Sequence, residues 1–304
     1  MPDENTWSQD AAAQVRAVRA CVVGSTNMDL LLEVAALPQP GETALAIGQR
    51  REPGGKGANQ ASALARLGAQ VVFVSAVGAD PDGHRSLAAL RAGGVAVEQV
   101  AVHEGATTGL AVVLVDRCGE NAIVVTTGAN DLVVSANSYA GFDVVLLSLE
   151  IPLRIVAEAV ARAHAAGVLV VLNAAPASAL PVDLLRMVDV LVVNEGELAV
   201  LGGQAEPLFA AGLGALVVTL GAAGCLVVEQ STQTQLAALP VNVLDTTGAG
   251  DCFAAALSAG LGAGWPAVRA AEFAVAAAAL SVTHPGAQAG QPGLAEVVAL
   301  LQAQ

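Results

Sequence analysis

Two hydrophobic periods alternate along this chain. Short runs of β-branched and aliphatic residues stand at 20–24, 71–77, 144–148, 168–172, 190–193 and 216–220. Several are apolar without interruption, as parallel strands covered on both faces are. Alanine-rich stretches of helical length lie among them, at 58–67, 83–92, 152–166, 181–187, 250–261, 267–282 and 294–301. The alternation predicts an α/β fold: a doubly wound, mostly parallel sheet flanked by helices. Two stretches break the rhythm. Residues 30–52 and about 105–127 carry short strand patterns and turns but no helix. They are too far apart to form one hairpin, yet they can pair in space as a small second sheet. Such a sheet cannot bury both faces by itself, so it is expected to cover a site, meet a partner, or do both. Residues 1–19 are polar and alanine-rich and lack an apolar signal-peptide core. They read as a disordered extension ahead of a domain over 20–304.

Composition narrows the function classes. A chain of 304 residues, 55% hydrophobic and 13% charged, can bury a large core and is not of disordered type. No apolar run reaches the roughly 18 residues of a membrane span, and a cytoplasmic location is expected. The net charge of −14 argues against a nucleic-acid or anionic-membrane partner. An anionic ligand would therefore need a local positive site. The only lysine, Lys56, lies in the glycine loop Gly54-Gly55-Lys56-Gly57, either as a ligand contact or as a solvated loop charge. Cys21, Cys118, Cys225 and Cys252 form no C-x-x-C pair, so neither zinc nor a disulfide framework is expected. Cys252, at a predicted helix start, reads as a thiol of lowered pKa or as a small core residue.

The densest chemistry lies at Asp245-Thr246-Thr247-Gly248-Ala249-Gly250-Asp251. Two carboxylates bracket a loop of small residues that leads into a helical stretch. Unpaired N–H groups at a helix start carry partial positive charge and suit an anion. Asp251 would sit beside that anion, an electrostatic cost that chemistry can justify. The same residues also read as an ordinary glycine turn with an acidic helix start. Other candidates follow predicted strands, at the edge where doubly wound sheets bind ligands. Asn27 and Asp29 suit a polyhydroxylated ligand or an Asx turn. Glu150, Asn194 and Glu197 suit a water-bound Mg²⁺ that also uses phosphates, or, for the last two, a capping box. Thr219 and Gly221 could approach nucleotide phosphates. No Walker-type P-loop and no dinucleotide fingerprint occurs.

Six motifs in order carry a resemblance: Gly24-Ser-Thr-Asn-Met-Asp29, Gly54-Gly-Lys-Gly-Ala-Asn-Gln60, Thr127-Gly-Ala-Asn130, Asn173-Ala-Ala-Pro-Ala177, Asn194-x-x-Glu197 and the heptapeptide 245–251. From about residue 20 onward the chain resembles the ribokinase-like family of carbohydrate kinases, which holds ribokinase, fructokinase, 1-phosphofructokinase and adenosine kinase. The resemblance implies transfer of the γ-phosphoryl group of ATP to the primary hydroxyl of a sugar. Ribose is the first expectation; another sugar, such as deoxyribose, fructose or fructose 1-phosphate, or a nucleoside is the alternative, and an idle sugar-binding protein the third. It implies Asp251 as base, with an anion hole from the backbone of 247–250, Gly248, Ala249 and Gly250 included. Sugar-binding positions match Asn27, Asp29, Gly54, Gly55, Lys56, Asn59, Glu150 and Asp251. Nucleotide positions match Asn194, Glu197, Thr219, Gly221 and Gly250, with Asn194 and Glu197 holding Mg²⁺ through water. A K⁺ site is implied at Asp245, Thr247, Ser281, His284 and Gly286. Gly290 stands where the family often has Ser, which removes one side-chain ligand. The irregular β stretches match a lid that closes over the sugar and builds a homodimer. The segment between Asn194 and Thr219 is shorter than in typical members, which should shorten a peripheral helix.

Overall fold

The computed structural model describes residue 7, residues 9–118 and residues 120–304. Its elements are, in order, α1 (Gln9–Ala17), β1 (Arg19–Val23), β2 (Asn27–Glu33), β3 (Gly48–Gly54), α2 (Lys56–Arg66), β4 (Gln70–Gly78), α3 (Pro81–Ala92), β5 (Ala96–His103), β6 (Gly109–Val115) and β7 (Asn121–Thr126). Then come β8 (Val144–Ser148), α4 (Leu153–Ala165), β9 (Leu169–Asn173), α5 (Val182–Leu185), β10 (Val190–Asn194), α6 (Glu195–Val200), α7 (Glu206–Ala210) and β11 (Ala215–Thr219). The chain finishes with β12 (Cys225–Val228), β13 (Gln233–Leu236), α8 (Ala249–Gly262), α9 (Ala267–Ser281) and α10 (Leu294–Gln302).

Among the described residues the large sheet runs β13-β12-β11-β10-β9-β8-β1-β4-β5. It is parallel except for β12 and β13, which pair antiparallel at one edge. Its uninterrupted apolar strands follow from burial on both sides. In β8, Val144 and Leu146 join the core beneath α2, α8 and α9, while Val145 and Leu147 join the core beneath α4. Each fully buried aliphatic side chain contributes about 1.5–3 kcal/mol of transfer free energy. The alanines of α8 and α9 let those helices approach closely: a Cβ added at Gly260 would lie 2.8 Å from that of Ala270.

The four-stranded second sheet runs β3-β2-β6-β7. The two helix-free stretches therefore do pair: β2 lies antiparallel to β3 and parallel to β6, and β6 is antiparallel to β7.

The expectation of a disordered extension over 1–19 is corrected for its second half. Residues 1–6 and 8 lie outside the described residues. Residues 9–17 form α1, whose Ala11 and Val15 are buried in the main core with Val18 beyond them. That spacing of four and then three is the apolar stripe of a short helix. Trp7 packs on Trp265 and Phe273, and Arg269 lies over both indole rings. Trp265 Nε1 donates to Gln14 at 2.6 Å, which ties α1 to the turn between α8 and α9.

Candidate active site

Asp251 stands in the first turn of α8 and is 6% exposed. Both its oxygens are held by amides from α2. Asn59 Nδ2 donates to Oδ2 at 2.9 Å, and Gln60 Nε2 donates to Oδ1 at 3.2 Å. Burial pushes the Asp251 carboxyl above its usual range, opposed by the charge of Lys56 and by the Asn59 hydrogen bond. Asp251 in turn is the strongest of four carboxylates that raise the Lys56 ammonium, the others being Glu150, Glu197 and Asp29. Lys56 forms no ion pair within 4 Å among the described residues. It is a central positive charge shared by an acidic ring.

The loop before α8 turns on a glycine. Gly248 has φ 75°, a left-handed turn that a side chain would strain and that Ala287, 2.9 Å from an added Cβ, would also block. The expected hole over 247–250 is narrower than that span. Thr247 N–H is taken by Asp245 at 2.9 Å and Ala249 N–H by Thr246 at 3.2 Å. The N–H groups of Gly248, Gly250 and Asp251 have no acceptor among the described residues. They end a helix of 14 residues whose dipole favours negative charge there.

A cleft of about 130 Å³ runs from this turn to the ends of β9, β10 and β11. Asn173, Asn194, Glu197 and Thr219 line it, with Lys56, Gly248, Gly250 and Asp251 at the α8 end. Gly221 and Ala249 are not among its walls. The alternative reading of Asn194 and Glu197 holds: Glu197 N–H donates to Asn194 Oδ1, and Asn194 N–H donates to Glu197 Oε2, both at 2.8 Å. Glu197 Oε1 stays outside that box. A wider recess of about 350 Å³, walled by Trp7, Leu236, Leu239, Val275 and Leu301, holds none of the predicted site residues.

The sugar candidates gather where β1 crosses into β2. Asn27 is buried, and its Oδ1 accepts from Asn130 Nδ2 at 2.7 Å, while Asn130 Oδ1 accepts from Thr26 N–H. Asp29 lies against Gly54, where any Cβ would collide with the carboxylate. Burial raises the Asp29 carboxyl to about 7, helped by Glu150, Asp251 and Glu52 and opposed by Lys56. Gly55, with φ 91°, caps α2 and packs against the backbone of Ser25, Thr26 and Asn27. Glu150 Oε2 accepts from Ser25 Oγ at 2.6 Å and from Lys56 N–H at 3.0 Å. Glu150 thus buttresses the lysine loop, with Oε1 left for a ligand. Gln60, Asn130 and Ser25 were quoted in motifs without a role, and they supply the hydrogen bonds that orient the predicted residues.

Beyond α9, three backbone carbonyls converge. A Cβ built on Gly290 would stand 2.8 Å from the oxygens of Ser281 and His284 and 3.0 Å from that of Gly286. A serine does not fit this backbone at 290, and the carbonyls close in where its side chain would start. Asp245 reaches the same loop, accepting from Gly286 N–H at 2.8 Å. Burial alone would raise its carboxyl, but donors from Thr247 and Gly286 outweigh burial and hold it below the usual range. Cys252 is buried, and burial pushes its thiol up to about 12, so the core reading holds and the lowered pKa does not.

The pattern of the pfkB family carbohydrate kinases matches residues 18–293. The chain belongs to the pfkB family. Among its pfkB relatives, a ribokinase of Bacillus subtilis is 38% identical over 292 residues, covering 92% of this chain and 98% of that one. A bifunctional ribokinase/ribose-5-phosphate isomerase A of Fructilactobacillus sanfranciscensis is 36% identical, but this chain spans only 54% of its length. The solved structure of Arabidopsis thaliana ribokinase complexed with ribose and ATP superimposes with a TM-score of 0.86 at 32% identity, covering 94% of this chain and 99% of that one.

Proposed function

We propose that this pfkB kinase transfers the γ-phosphoryl group of ATP to the primary hydroxyl of D-ribose, giving ribose 5-phosphate. One observation carries the reading. Asp251, oriented by two amides, stands between the polar cluster at the β1–β2 crossing and a cleft that ends in open N–H groups. Asp251 accepts the hydroxyl proton as the oxygen attacks phosphorus. Its raised pKa, set against Lys56, makes it a stronger base than a solvated carboxylate. The N–H groups of Gly248 and Gly250 face the charge spreading over the transferring group, so the chain works by positioning and electrostatics. Asn27, Asp29, Asn59 and Glu150 bind the sugar hydroxyls.

The donor set fits a hydrated Mg²⁺. Among the described residues no three His, Cys, Asp or Glu side chains gather to cage a metal. Glu197 Oε1 is free of the capping box and Asn194 lies beside it. These two residues would hold the ion through water, and the bound ion would supply positive charge to offset that of the phosphates. The carbonyl cradle of Ser281, His284 and Gly286, with Asp245 and Thr247 nearby, fits K⁺. Carbonyl oxygens replace its hydration shell well, and the C-terminal end of α9 favours a cation. Bound there, K⁺ would supply positive charge behind the anion turn.

The second sheet, read as a lid, excludes water from the sugar and joins two copies of the chain. That reading is supported by its exposed apolar strand β7. The enzyme works in the cytoplasm, in keeping with four unpaired cysteines. ADP release measured with ribose, deoxyribose, fructose, fructose 1-phosphate and adenosine tests the reading. The highest kcat/KM is expected with ribose. A preference for another acceptor overturns the substrate, and no ADP release with any overturns the kinase.

A further inference from the structure

The loop that follows α9 holds Asn59 at two points. Gln288 Nε2 donates to Asn59 Oδ1 at 3.1 Å, and Gln291 Nε2 donates to Asn59 O at 2.9 Å. Gln291 is itself fixed, its carbonyl accepting from Arg66 Nη1 at 2.6 Å. The direction of these bonds is forced by chemistry. An ionised Asp251 only accepts, so Asn59 must turn its NH₂ toward it. That leaves Asn59 Oδ1 in need of a donor, and Gln288 is the donor on it. Without Gln288 the Asn59 amide is free to rotate and offer its oxygen to the carboxylate, a repulsive contact.

We propose that Gln288 is a positioning residue for the base: it fixes the Asn59 amide and, through it, the Asp251 carboxylate. The inference rests on the reading of Asp251 as base. Gln288 touches no proton in transfer, and its effect is on the geometry and proton affinity of Asp251. The other charged groups around Asp251 are Lys56, which lowers its proton affinity, Glu150, which raises it, and Asp29, whose own carboxyl Asp251 raises. None is altered by a change at 288, so a shift reports Asn59.

The test is Gln288→Met, which keeps length and removes the donor, read together with Asn59→Ala and the double variant. Gln288→Met is expected to lower kcat roughly ten-fold, the worth of one hydrogen bond, with KM for ATP within about two-fold and KM for sugar, which Asn59 also serves, raised by less than the loss in kcat. The acid limb of its kcat profile moves to higher pH, because the Asn59 donation that lowers the Asp251 pKa is loosened. In the Asn59→Ala background the change at 288 has no further effect on kcat. Additive losses, an unmoved acid limb, or a loss confined to KM overturn the proposal. Gln288→Glu, which offers only an acceptor at the same length, reproduces the kcat loss if Gln288→Met folds poorly, and normal turnover in it also overturns the proposal. One readout needs no turnover. The Asn59 side-chain NH₂ resonances, assigned by their loss in Asn59→Ala, titrate with Asp251 in the wild type and not in Gln288→Met. A wild type that phosphorylates no sugar defeats the proposed function, while identical titrations in both proteins defeat the relay.

Discussion

The two sheets differ in what covers their faces. Both sides of the nine-stranded sheet are buried: successive residues of β1 and β8 enter two separate cores under helices. The four-stranded sheet meets helices chiefly where α3 packs on β2 and β3, and β7 is exposed at all six positions. Its Ile123, Val124 and Val125 are 56%, 67% and 47% exposed, in an edge strand with free backbone groups. Native sheets rarely leave such an edge bare. The body covers both faces of its own sheet, and the smaller sheet leaves an apolar edge bare. On the proposed reading Asp251 works in the first region, and the second, which also carries Asn27 and Asp29, governs access.

That division can be broken by substitution. The largest effect is expected in the body. Asp251→Asn should lower kcat by about 10³-fold or more, while ribose binding by calorimetry and the melting temperature change little. Near-normal turnover would remove Asp251 as base. Next comes the second sheet, proposed as a lid. Val124→Asp should turn the proposed dimer into a monomer by sedimentation and raise the sugar KM several-fold, with the body melting as before. A wild type that already sediments as a monomer removes the dimer.

The smallest effect lies where the regions meet. Asp29 is in β2 at the crossing, with a carboxyl near 7 against an ordinary value of 3.8. The folded state holds this proton more tightly than the unfolded chain, so the contribution of Asp29 to stability is greatest below about pH 4 and is lost as pH rises to 7. Asn, which cannot ionise, escapes that loss. Asp29→Asn should therefore gain roughly 1–2 kcal/mol at pH 8, seen as a higher melting temperature, and nothing at pH 4. Equal melting at both pH values would show that Asp29 is not strained by its acidic neighbours.

The central strands were legible because burial on both faces leaves an uninterrupted apolar run, and β8 was found at 144–148. Edge strands lack that signature. In β13, Gln233–Leu236, polar and half-exposed residues alternate, and in β5 the buried Val97 and Val100 stand among exposed Glu98 and Gln99. The helix α1 was missed because its stripe is three small apolar residues in a polar segment, and the partners that bury it lie far along the chain. The site followed the same rule. Asp251, Lys56, Asn194 and Glu197 stood out by residue type and by neighbours in sequence. The amides of Gln60 and Gln288 did not, since their partners are 191 and 229 positions away. No local pattern encodes a hydrogen bond closed by the fold.

Both tryptophans of the chain, Trp7 and Trp265, meet edge-to-face in one cluster with ring centres 5.4 Å apart. Tryptophan fluorescence of this protein is therefore a single optical gauge, placed where Trp7, just ahead of α1, meets the α8–α9 turn and Phe273 of α9. A signal that changes during denaturation reports the undocking of the N-terminal helix. A signal that stays flat while sugar binds says nothing against closure of the lid, and labelling studies of closure need a dye of their own.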